Sequence, residues 1–250
     1  MQSATKAMVL AAGLGTRLRP LTNDRPKALV AVGGRTMLEI TLARLRQFGI
    51  SEVIINTHHY GEKIREYLAA NRNFGMRIEL SHEEELLDTG GGLKKAAWFF
   101  LDGKNPDDPS LPPFILHNVD VISAIDIAKM IEAHTSREAL ATIAVQNRAT
   151  KRYLLFNEQG VLSGRRHGLD GELKLVRPAA APQAFAYSCI QVISPLLLAR
   201  MTETGAFSII DAELRMAAQG EKVISYRADG AYWRDLGRPE SVAEAEKDRF

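Results

Sequence analysis

Leu10-Ala11-Ala12-Gly13-Leu14-Gly15-Thr16-Arg17-Leu18-Arg19-Pro20 is the most informative stretch of this chain, and it continues an apolar run that begins at Ala7. A continuous apolar run predicts a strand buried on both faces, as the strands of a parallel sheet are. Gly13 and Gly15 let the backbone turn sharply after this strand and bring its N–H groups close to an anion. Arg17 adds a planar, permanently charged group that suits phosphate oxygens. The stretch therefore predicts a buried strand followed by a phosphate-binding loop.

This loop matches neither of two familiar phosphate motifs. A dinucleotide fingerprint requires a third glycine where Leu18 stands, and a Walker A loop requires Gly-Lys followed by Ser or Thr after four spacer residues. Two glycines and one arginine by themselves fit a tight surface turn with exposed arginines equally well. The residues of the loop alone leave both interpretations open.

Short apolar strands alternate with amphipathic helices through the first half of the chain. The pattern predicts a helix with Thr36 as its N-cap, a strand at 53–56, a helix at 62–70 and a strand at 114–116 that ends before Asp120. This order predicts an α/β, Rossmann-like fold with a mostly parallel central sheet and helices on both faces. Ligand sites in such sheets lie at the carboxyl ends of the strands, so we expect the Gly13 loop and Asp120 to meet there.

Composition excludes several classes of function. The 250 residues carry a net charge of only +2, without the basic excess of a nucleic-acid-binding protein. The apolar run at 8–12 is too short to span a membrane, so no membrane partner is predicted. Cys189 is the one cysteine and cannot form an internal disulfide, which favours a reducing cytoplasm.

Two aspartates are candidates for binding a divalent cation. Asp120 follows a predicted strand, and Asp235 follows the aromatic pair Tyr232-Trp233. Mg²⁺ binds one or two carboxylates and leaves positions for phosphate oxygens and water, so two aspartates suit a reaction between polyanions. Aspartate is also common in turns and caps, and either residue alone fits that structural role better.

The longer pattern resembles the family of sugar-1-phosphate nucleotidyltransferases. The loop continues into Arg25-Pro26-Lys27, and further matching segments lie at 32–34, 56–59, 74–75, 81–83, 86–92, 118–120 and 232–240. The His-His and Thr-Gly-Gly-Gly elements are most similar to the short subgroup of N-acetylmuramate-1-phosphate uridylyltransferases and mannose-1-phosphate guanylyltransferase-like proteins. The resemblance implies the nucleotide-diphospho-sugar transferase fold and a Mg²⁺-dependent reaction. In that reaction, NTP and sugar 1-phosphate yield NDP-sugar and pyrophosphate, with UTP or GTP as the nucleotide.

The resemblance also implies roles for individual residues. Arg17, Lys27 and Asp120 are the expected catalytic residues: Arg17 contacts the departing pyrophosphate, and Lys27 bridges the α-phosphate and the sugar phosphate. Asp120 and Asp235 would hold Mg²⁺, while Lys27 and Ser188 would bind the sugar phosphate. Glu83 would accept hydrogen bonds from ring N–H groups of uracil or guanine. The expected nucleotide-binding residues are Leu10, Ala11, Ala12, Gly13, Gly15, Thr16, Arg17, Glu83, Thr89, Gly90 and Asn118.

Three positions depart from the family pattern. Val119 stands where a small residue is usual, and Asp88 and Cys189 stand where glycine is usual. A β-branched side chain disfavours positive φ, so the backbone at Val119 is expected to differ from that of relatives. Cys189 is interpreted as a small buried hydrophobe rather than a nucleophile.

One domain over residues 1–250 is expected, with a nucleotide-binding half at 1–135 and a sugar-phosphate-binding half at 136–250 that supplies Asp235. Two alternatives to the main interpretation remain open. One is a nucleotidyltransferase for another phosphorylated acceptor, such as phosphocholine or an aminoalkylphosphonate. The other is a non-catalytic regulator that binds NDP-sugar. A homodimer is compatible with the sequence but is not predicted by it.

Overall fold

A computed structural model describes residues 5–108, 110–168 and 170–248 of the chain. Within these ranges, no helix has both the length and the apolar character needed to cross a membrane. Strands and helices alternate through the first half, as the hydrophobic pattern predicts, and strands dominate the stretch from 141 to 193.

The strands are β1 (Lys6–Leu10), β2 (Ala31–Val32), β3 (Arg35–Thr36), β4 (Glu52–Thr57), β5 (Arg77–His82), β6 (Phe114–Asn118), β7 (Val121–Ser123), β8 (Ala141–Gln146), β9 (Arg152–Phe156), β10 (Leu162–His167), β11 (Leu173–Leu175), β12 (Gln183–Ile193), β13 (Val223–Arg227) and β14 (Trp233–Asp235). The helices are α1 (Met37–Gln47), α2 (Gly61–Ala70), α3 (Asp88–Lys95), α4 (Ala97–Leu101), α5 (Ile127–Ser136), α6 (Leu196–Arg200), α7 (Ile209–Ala218) and α8 (Pro239–Ala245). Short 3₁₀ turns lie at Thr16–Leu18, Lys27–Leu29 and Arg72–Gly75.

The centre of the large sheet is parallel. β1 lies between β6 and β4, and β5 extends the sheet beyond β4, with every one of these pairs parallel. Met8 is aligned with Ile54 on one side and with Leu116 on the other, and its side chain has no exposed surface. The predicted buried strand and parallel centre are thus confirmed, and the loop after β1 lies at the carboxyl edge of the sheet.

Beyond β6 the sheet becomes mixed. β12 runs antiparallel to β6, β8 and β9, and β10 and β11 continue the antiparallel part, while β13 pairs parallel with β8. Since β6 and β8 both run opposite to β12, their carboxyl ends point to the same edge of the sheet. The second half of the chain therefore extends the parallel centre with strands that reach the same edge.

Helices cover both faces of the sheet, as predicted. One buried cluster contains the apolar side of α1 with residues from α2, α5 and α8, and a second contains residues from α3, α4, α6 and α7. α1 begins where the sequence predicts, because the Thr36 hydroxyl accepts a hydrogen bond from the Glu39 amide at 3.1 Å. Leu38, Leu42 and Leu45 of this helix are completely buried, and each contributes roughly 1.5–3 kcal/mol of hydrophobic stabilisation.

Candidate active site

Gly13 and Gly15, in the loop after β1, leave space for the side chain of Lys27 beside the loop. Gly15 has a φ of 64°, and a Cβ there would lie 3.2 Å from the Cβ of Lys27 and 3.0 Å from Cγ2 of Thr22. At Gly13 a Cβ would lie 3.3 Å from Lys27 Nζ. The hydroxyl of Thr22 donates to the Gly15 carbonyl at 2.8 Å, which fixes the turn. Side chains at either glycine would therefore displace the ammonium group from the loop.

Asn56 supports the same loop from the neighbouring strand. Its Oδ1 accepts from the Ala11 amide at 2.7 Å and from the Ala12 amide at 3.4 Å. Its Nδ2 donates to Oε1 of Glu83 at 2.7 Å. Asn56 is not among the residues that the sequence predicts for the site. A polar residue at the end of the strand beside β1 is the signal that could have identified it.

Glu83 is buried and hydrogen-bonded next to Asn56. Its side chain is 1% exposed, and Oε1 accepts from Asn56 while Oε2 accepts from the Leu87 amide at 3.0 Å. Both carboxylate oxygens are therefore engaged within the chain. These contacts make Glu83 a support for Asn56 and for the start of α3, and its predicted hydrogen bond to a base stays a prediction.

Gly90 also has a role other than the predicted contact with nucleotide. Its amide donates to the Phe207 carbonyl at 2.8 Å, and a Cβ at this position would clash with the Phe207 ring. The Thr89 hydroxyl accepts from the Ile209 amide at 3.0 Å. The predicted glycine is thus needed for packing α3 against the segment that leads into α7.

The two predicted metal ligands lie side by side. β14 pairs antiparallel with β7, and this pairing aligns Asp235 with Val121, the residue after Asp120. The Leu236 amide donates to the Asp120 carbonyl at 2.8 Å, which continues the contact by one residue. A two-stranded ribbon thus brings the two aspartates together from opposite halves of the chain.

Two cations accompany this carboxylate pair. Lys27 Nζ is 3.0 Å from Asp120 Oδ2, and both side chains retain 13% of their exposure. A Cβ added to Gly237 would lie 2.8 Å from Asp235 Oδ1 and 2.9 Å from Arg17 Nη2, so the two side chains converge beside this glycine. The Gly237 amide donates to Asp235 Oδ1 at 2.7 Å. Arg17, Lys27, Asp120 and Asp235 therefore occupy one edge of the sheet, together with the loop.

A cleft of about 320 Å³ opens beside these residues. Its lining consists of Leu10, Ala12, Gly13, Lys27, Asn56, Glu83, Leu86, Asp88, Thr89 and Asn118. Most of the predicted nucleotide-binding residues contribute to this lining, whereas Ala11, Gly15, Thr16, Arg17 and Gly90 do not. The cleft places a mainly apolar space between β1 and α3, next to Lys27.

The departures from the family pattern have different structural consequences. Val119 is 1% exposed within the core and does not have a positive φ, so its β-branched side chain fits without strain, and the expected difference from the backbone of relatives stays a prediction. Asp88 and Cys189 do have positive φ, at 57° and 59°. At both positions the backbone adopts the left-handed conformation that favours glycine.

Cys189 lies in an irregular part of β12, where the register against β8 shifts between Tyr187 and Gln191. Removal from water and the negative charges of Asp120 and Asp235 raise the pKa of its thiol to about 12. The thiol is therefore neutral at pH 7, as expected for a packing residue. Ser188 has no exposed surface, and its hydroxyl has no hydrogen-bond partner among the described residues, so its predicted contact with a sugar phosphate stays a prediction. Its carbonyl accepts from Trp233 Nε1 at 2.8 Å.

The donor set around Asp120 and Asp235 fits a cation that is completed by substrate. In the described ranges, no group of three or more His, Cys, Asp or Glu side chains could hold a metal ion. Two adjacent carboxylates match the preference of Mg²⁺, which keeps several positions for water and phosphate oxygens. His58 has a structural role rather than a role as a metal ligand, because its Nδ1 is 2.8 Å from the Glu83 carbonyl oxygen.

Sequence comparisons give one family. The model of the nucleotidyl transferase family matches residues 6–155. An N-acetylmuramate alpha-1-phosphate uridylyltransferase of Caulobacter vibrioides is 31% identical over 98% of both chains. The mannose-1-phosphate guanylyltransferase catalytic subunit beta of Danio rerio is 30% identical over 94% of this chain, which spans 61% of that protein.

Solved structures confirm the predicted fold. HddC from Yersinia pseudotuberculosis, in complex with GMP-PN, has a TM-score of 0.73 at 20% identity and covers 99% of both chains. A UDP-glucose pyrophosphorylase from Acinetobacter has a TM-score of 0.77 at 20% identity and covers 97% of this chain and 92% of its own. At these identities the likeness concerns the architecture of the sheet and its helices.

Proposed function

Because the chain belongs to the nucleotidyl transferase family, we propose that it transfers a nucleotidyl group from a nucleoside triphosphate to a sugar 1-phosphate. The products are an NDP-sugar and pyrophosphate. The observation that carries this proposal is the convergence of Lys27, Asp120 and Asp235 with the glycine loop at one edge of the sheet. The N-terminal half would bind the nucleotide, and the C-terminal half would bind the acceptor and supply Asp235.

The reaction is an in-line displacement at the α-phosphorus. An oxygen of the acceptor phosphate forms a bond to that phosphorus, while the bond from it to the oxygen that bridges to the β-phosphate breaks. The electron pair of the broken bond leaves with pyrophosphate. Lys27 has a compact charge on a flexible stem, so Nζ can move from Asp120 Oδ2 to the phosphate oxygens and stabilise their charge. Arg17 lies beside Asp235 and would contact the departing pyrophosphate.

Asp120 and Asp235 are the residues that would hold Mg²⁺. When bound, this ion screens the repulsion between two phosphate-bearing reactants and neutralises charge at the leaving group. Asp235 is exposed, and Asp120 retains part of its exposure, so both carboxylates are accessible to an ion that arrives with the nucleotide.

UTP and GTP are the proposed nucleotides. The Caulobacter relative that matches this chain end to end is named a uridylyltransferase, and the Danio rerio relative is named a guanylyltransferase. The cleft beside Lys27 offers Leu10 and Leu86 as apolar surfaces for a base. We place the reaction in the cytoplasm, where nucleoside triphosphates are made.

A matrix of UTP, GTP, CTP, ATP and dTTP against several sugar 1-phosphates tests this function by pyrophosphate release. Phosphocholine and an aminoalkylphosphonate serve as acceptors without a sugar. We expect turnover with at least one sugar 1-phosphate, and its loss when EDTA removes divalent ions. Turnover only with a non-sugar acceptor would overturn the acceptor class, and NDP-sugar binding without turnover would favour a regulator.

A further inference from the structure

Arg148 lies at the same edge of the sheet as the carboxylate pair, although no motif includes it. It follows β8, whose carboxyl end points in the same direction as that of β6, the strand that leads to Asp120. Its guanidinium carbon is 3.6 Å from the ring centre of Trp233, two residues before Asp235 in β14. Arg148 thus stands against the strand that carries one of the two carboxylates.

The guanidinium is held in place by the irregular part of β12. Arg148 Nη2 donates to the Tyr187 carbonyl at 2.6 Å. The Trp233 ring beneath it is fixed in turn, because Nε1 donates to the Ser188 carbonyl at 2.8 Å. Stacking on an aromatic face and one strong hydrogen bond leave the planar group little freedom, which favours binding over a surface role.

The charge of Arg148 has no counter-ion among the described residues. Its Nε is buried without a hydrogen-bond partner, and no carboxylate of the described ranges lies within ion-pair distance. Removal from water lowers the pKa of this guanidinium, whereas the charge of Asp235 acts in the opposite direction. A partly buried cation without a counter-ion destabilises the protein, so an anion that arrives with the ligand would offset this desolvation cost.

Arg227 is a neighbouring arginine in a similar position, but it differs from Arg148 in having a counter-ion. Arg227 also ends a strand at this edge and stacks on an aromatic ring, with its guanidinium carbon 4.0 Å from the Phe185 ring centre. Arg227, however, forms an ion pair with Asp229. Both arginines line a cavity of about 420 Å³ with Gln146, Asn147, Asp229 and Gly230. Within that cavity, the charge of Arg227 is already neutralised and that of Arg148 is not.

We propose that Arg148 binds an oxyanion of the acceptor, either its reacting phosphate or a carboxylate carried on the sugar. This inference rests on the proposed function, since it assigns the acceptor to the side of the site formed by β8, β12 and β14. The apolar cleft beside Lys27 is then left for the nucleotide. Arg148 would be the second basic residue, beside Lys27, through which the enzyme selects an anionic acceptor.

The test compares Arg148→Gln and Arg148→Lys with Arg152→Gln, a control at an exposed arginine of β9. In Arg148→Gln, we expect KM for the acceptor to rise about 10- to 100-fold, as for the loss of a charged hydrogen bond, with KM for NTP and Tm little changed. Arg148→Lys should recover part of the affinity, and Arg152→Gln should match the wild type. An unchanged acceptor KM would overturn the proposal, as would equal increases for both substrates with a fall in Tm.

Two further experiments distinguish phosphate from carboxylate as the group that Arg148 binds, and distinguish failure of this inference from failure of the proposed function. Acceptors with a neutral sugar and with a carboxylated sugar are compared: an equal rise in KM identifies the phosphate, and a rise only for the carboxylated sugar identifies the carboxylate. Sugar 1-phosphate is also titrated calorimetrically into protein saturated with a non-hydrolysable NTP analogue. A wild-type protein that binds both ligands without turnover contradicts the proposed function, while the affinity of Arg148→Gln in the same titration still decides the role of Arg148.

Discussion

The nucleotide side and the acceptor side of the site are built in different ways. The nucleotide side is largely one contiguous stretch, the loop from Leu10 to Lys27, supported from below by Asn56 and Glu83. The acceptor side is assembled from single residues of separate elements: Arg148 after β8, Cys189 in β12 and Trp233 in β14. Under the proposed function, the chemistry common to all nucleotide donors is thus encoded in a motif, and the proposed acceptor recognition is encoded in the packing of three strands.

Lys27→Ala is expected to have the largest effect on activity of the substitutions considered. Loss of a preorganised cation should lower kcat on the order of 10²-fold or more, while the fold is kept. Lys27→Arg should also be slow, because Gly13 and Gly15 leave little space around the lysine stem. Steady-state pyrophosphate release measures both variants, with the exposed Lys151→Ala as control. Turnover of Lys27→Ala at the wild-type rate would remove Lys27 from the mechanism.

Asn56→Ala tests whether the loop depends on its support. The change leaves the Ala11 amide and Oε1 of Glu83 without these hydrogen bonds in a buried site, so unfolding free energy should fall on the order of 2 kcal/mol. The displaced loop should also raise KM for NTP roughly tenfold, with a smaller effect on acceptor KM. Urea denaturation and kinetics measure these effects. The control is Asn71→Ala, an exposed asparagine that bonds only within its own helix end. Equal effects on both substrates would contradict the division of the site.

Cys189 sharpens the comparison on the acceptor side. Because its φ is 59°, Cys189→Val should lower unfolding free energy by about 1–3 kcal/mol, whereas Cys189→Gly should stay within about 1 kcal/mol of the wild type. The matched change Val119→Ala removes a buried side chain whose backbone has no positive φ. Thermal unfolding measures the stability of Cys189→Val, Cys189→Gly and Val119→Ala. A Cys189→Val protein as stable as Cys189→Gly would exclude backbone strain at this position.

Glu213 connects stability to pH and lies apart from the proposed catalytic residues. Gln191 Nε2 donates to Tyr187 Oη at 3.0 Å and to Glu213 Oε2 at 3.4 Å, across the irregular part of β12. Burial raises the pKa of Glu213 to about 8 from its ordinary value of 4.5. The folded state therefore holds a proton that the unfolded chain has released, and stability falls as pH rises between these values, by up to about 1.4 kcal/mol per pH unit.

Glu213→Gln should remove this part of the pH dependence. Its unfolding free energy, relative to that of the wild type, should increase from pH 6 to pH 8, as measured by urea denaturation at each pH. The exposed Glu84→Gln should follow the wild type. Parallel curves for Glu213→Gln and the wild type would show that the buried carboxyl is not protonated in the folded protein.

The parts predicted from sequence are those with a local physical cause. The local sequence pattern predicts the buried strand β1, the cap at Thr36 and the glycine turn, because each depends on residues that are close in the chain. The contact of Glu83 with Asn56, that of Gly90 with Phe207 and the complete burial of Ser188 could not be predicted, because they depend on residues that are distant in the chain. Arg148 gave no signal in the sequence, since its importance comes from Trp233 and Tyr187, which are distant in the chain.

The short ribbon of β7 and β14 has a consequence for the synthesis of the protein. The glycine loop, Lys27 and Asn56 all precede Asp120 in the chain, whereas Asp235 follows it after the strands of the large sheet. Until that residue pairs with the strand after Asp120, a nascent chain has half of its acidic pair. The two carboxylates of the proposed Mg²⁺ site are therefore together only when β14 is paired with β7, so we expect a chain truncated before β14 to lack turnover even if its glycine loop is folded.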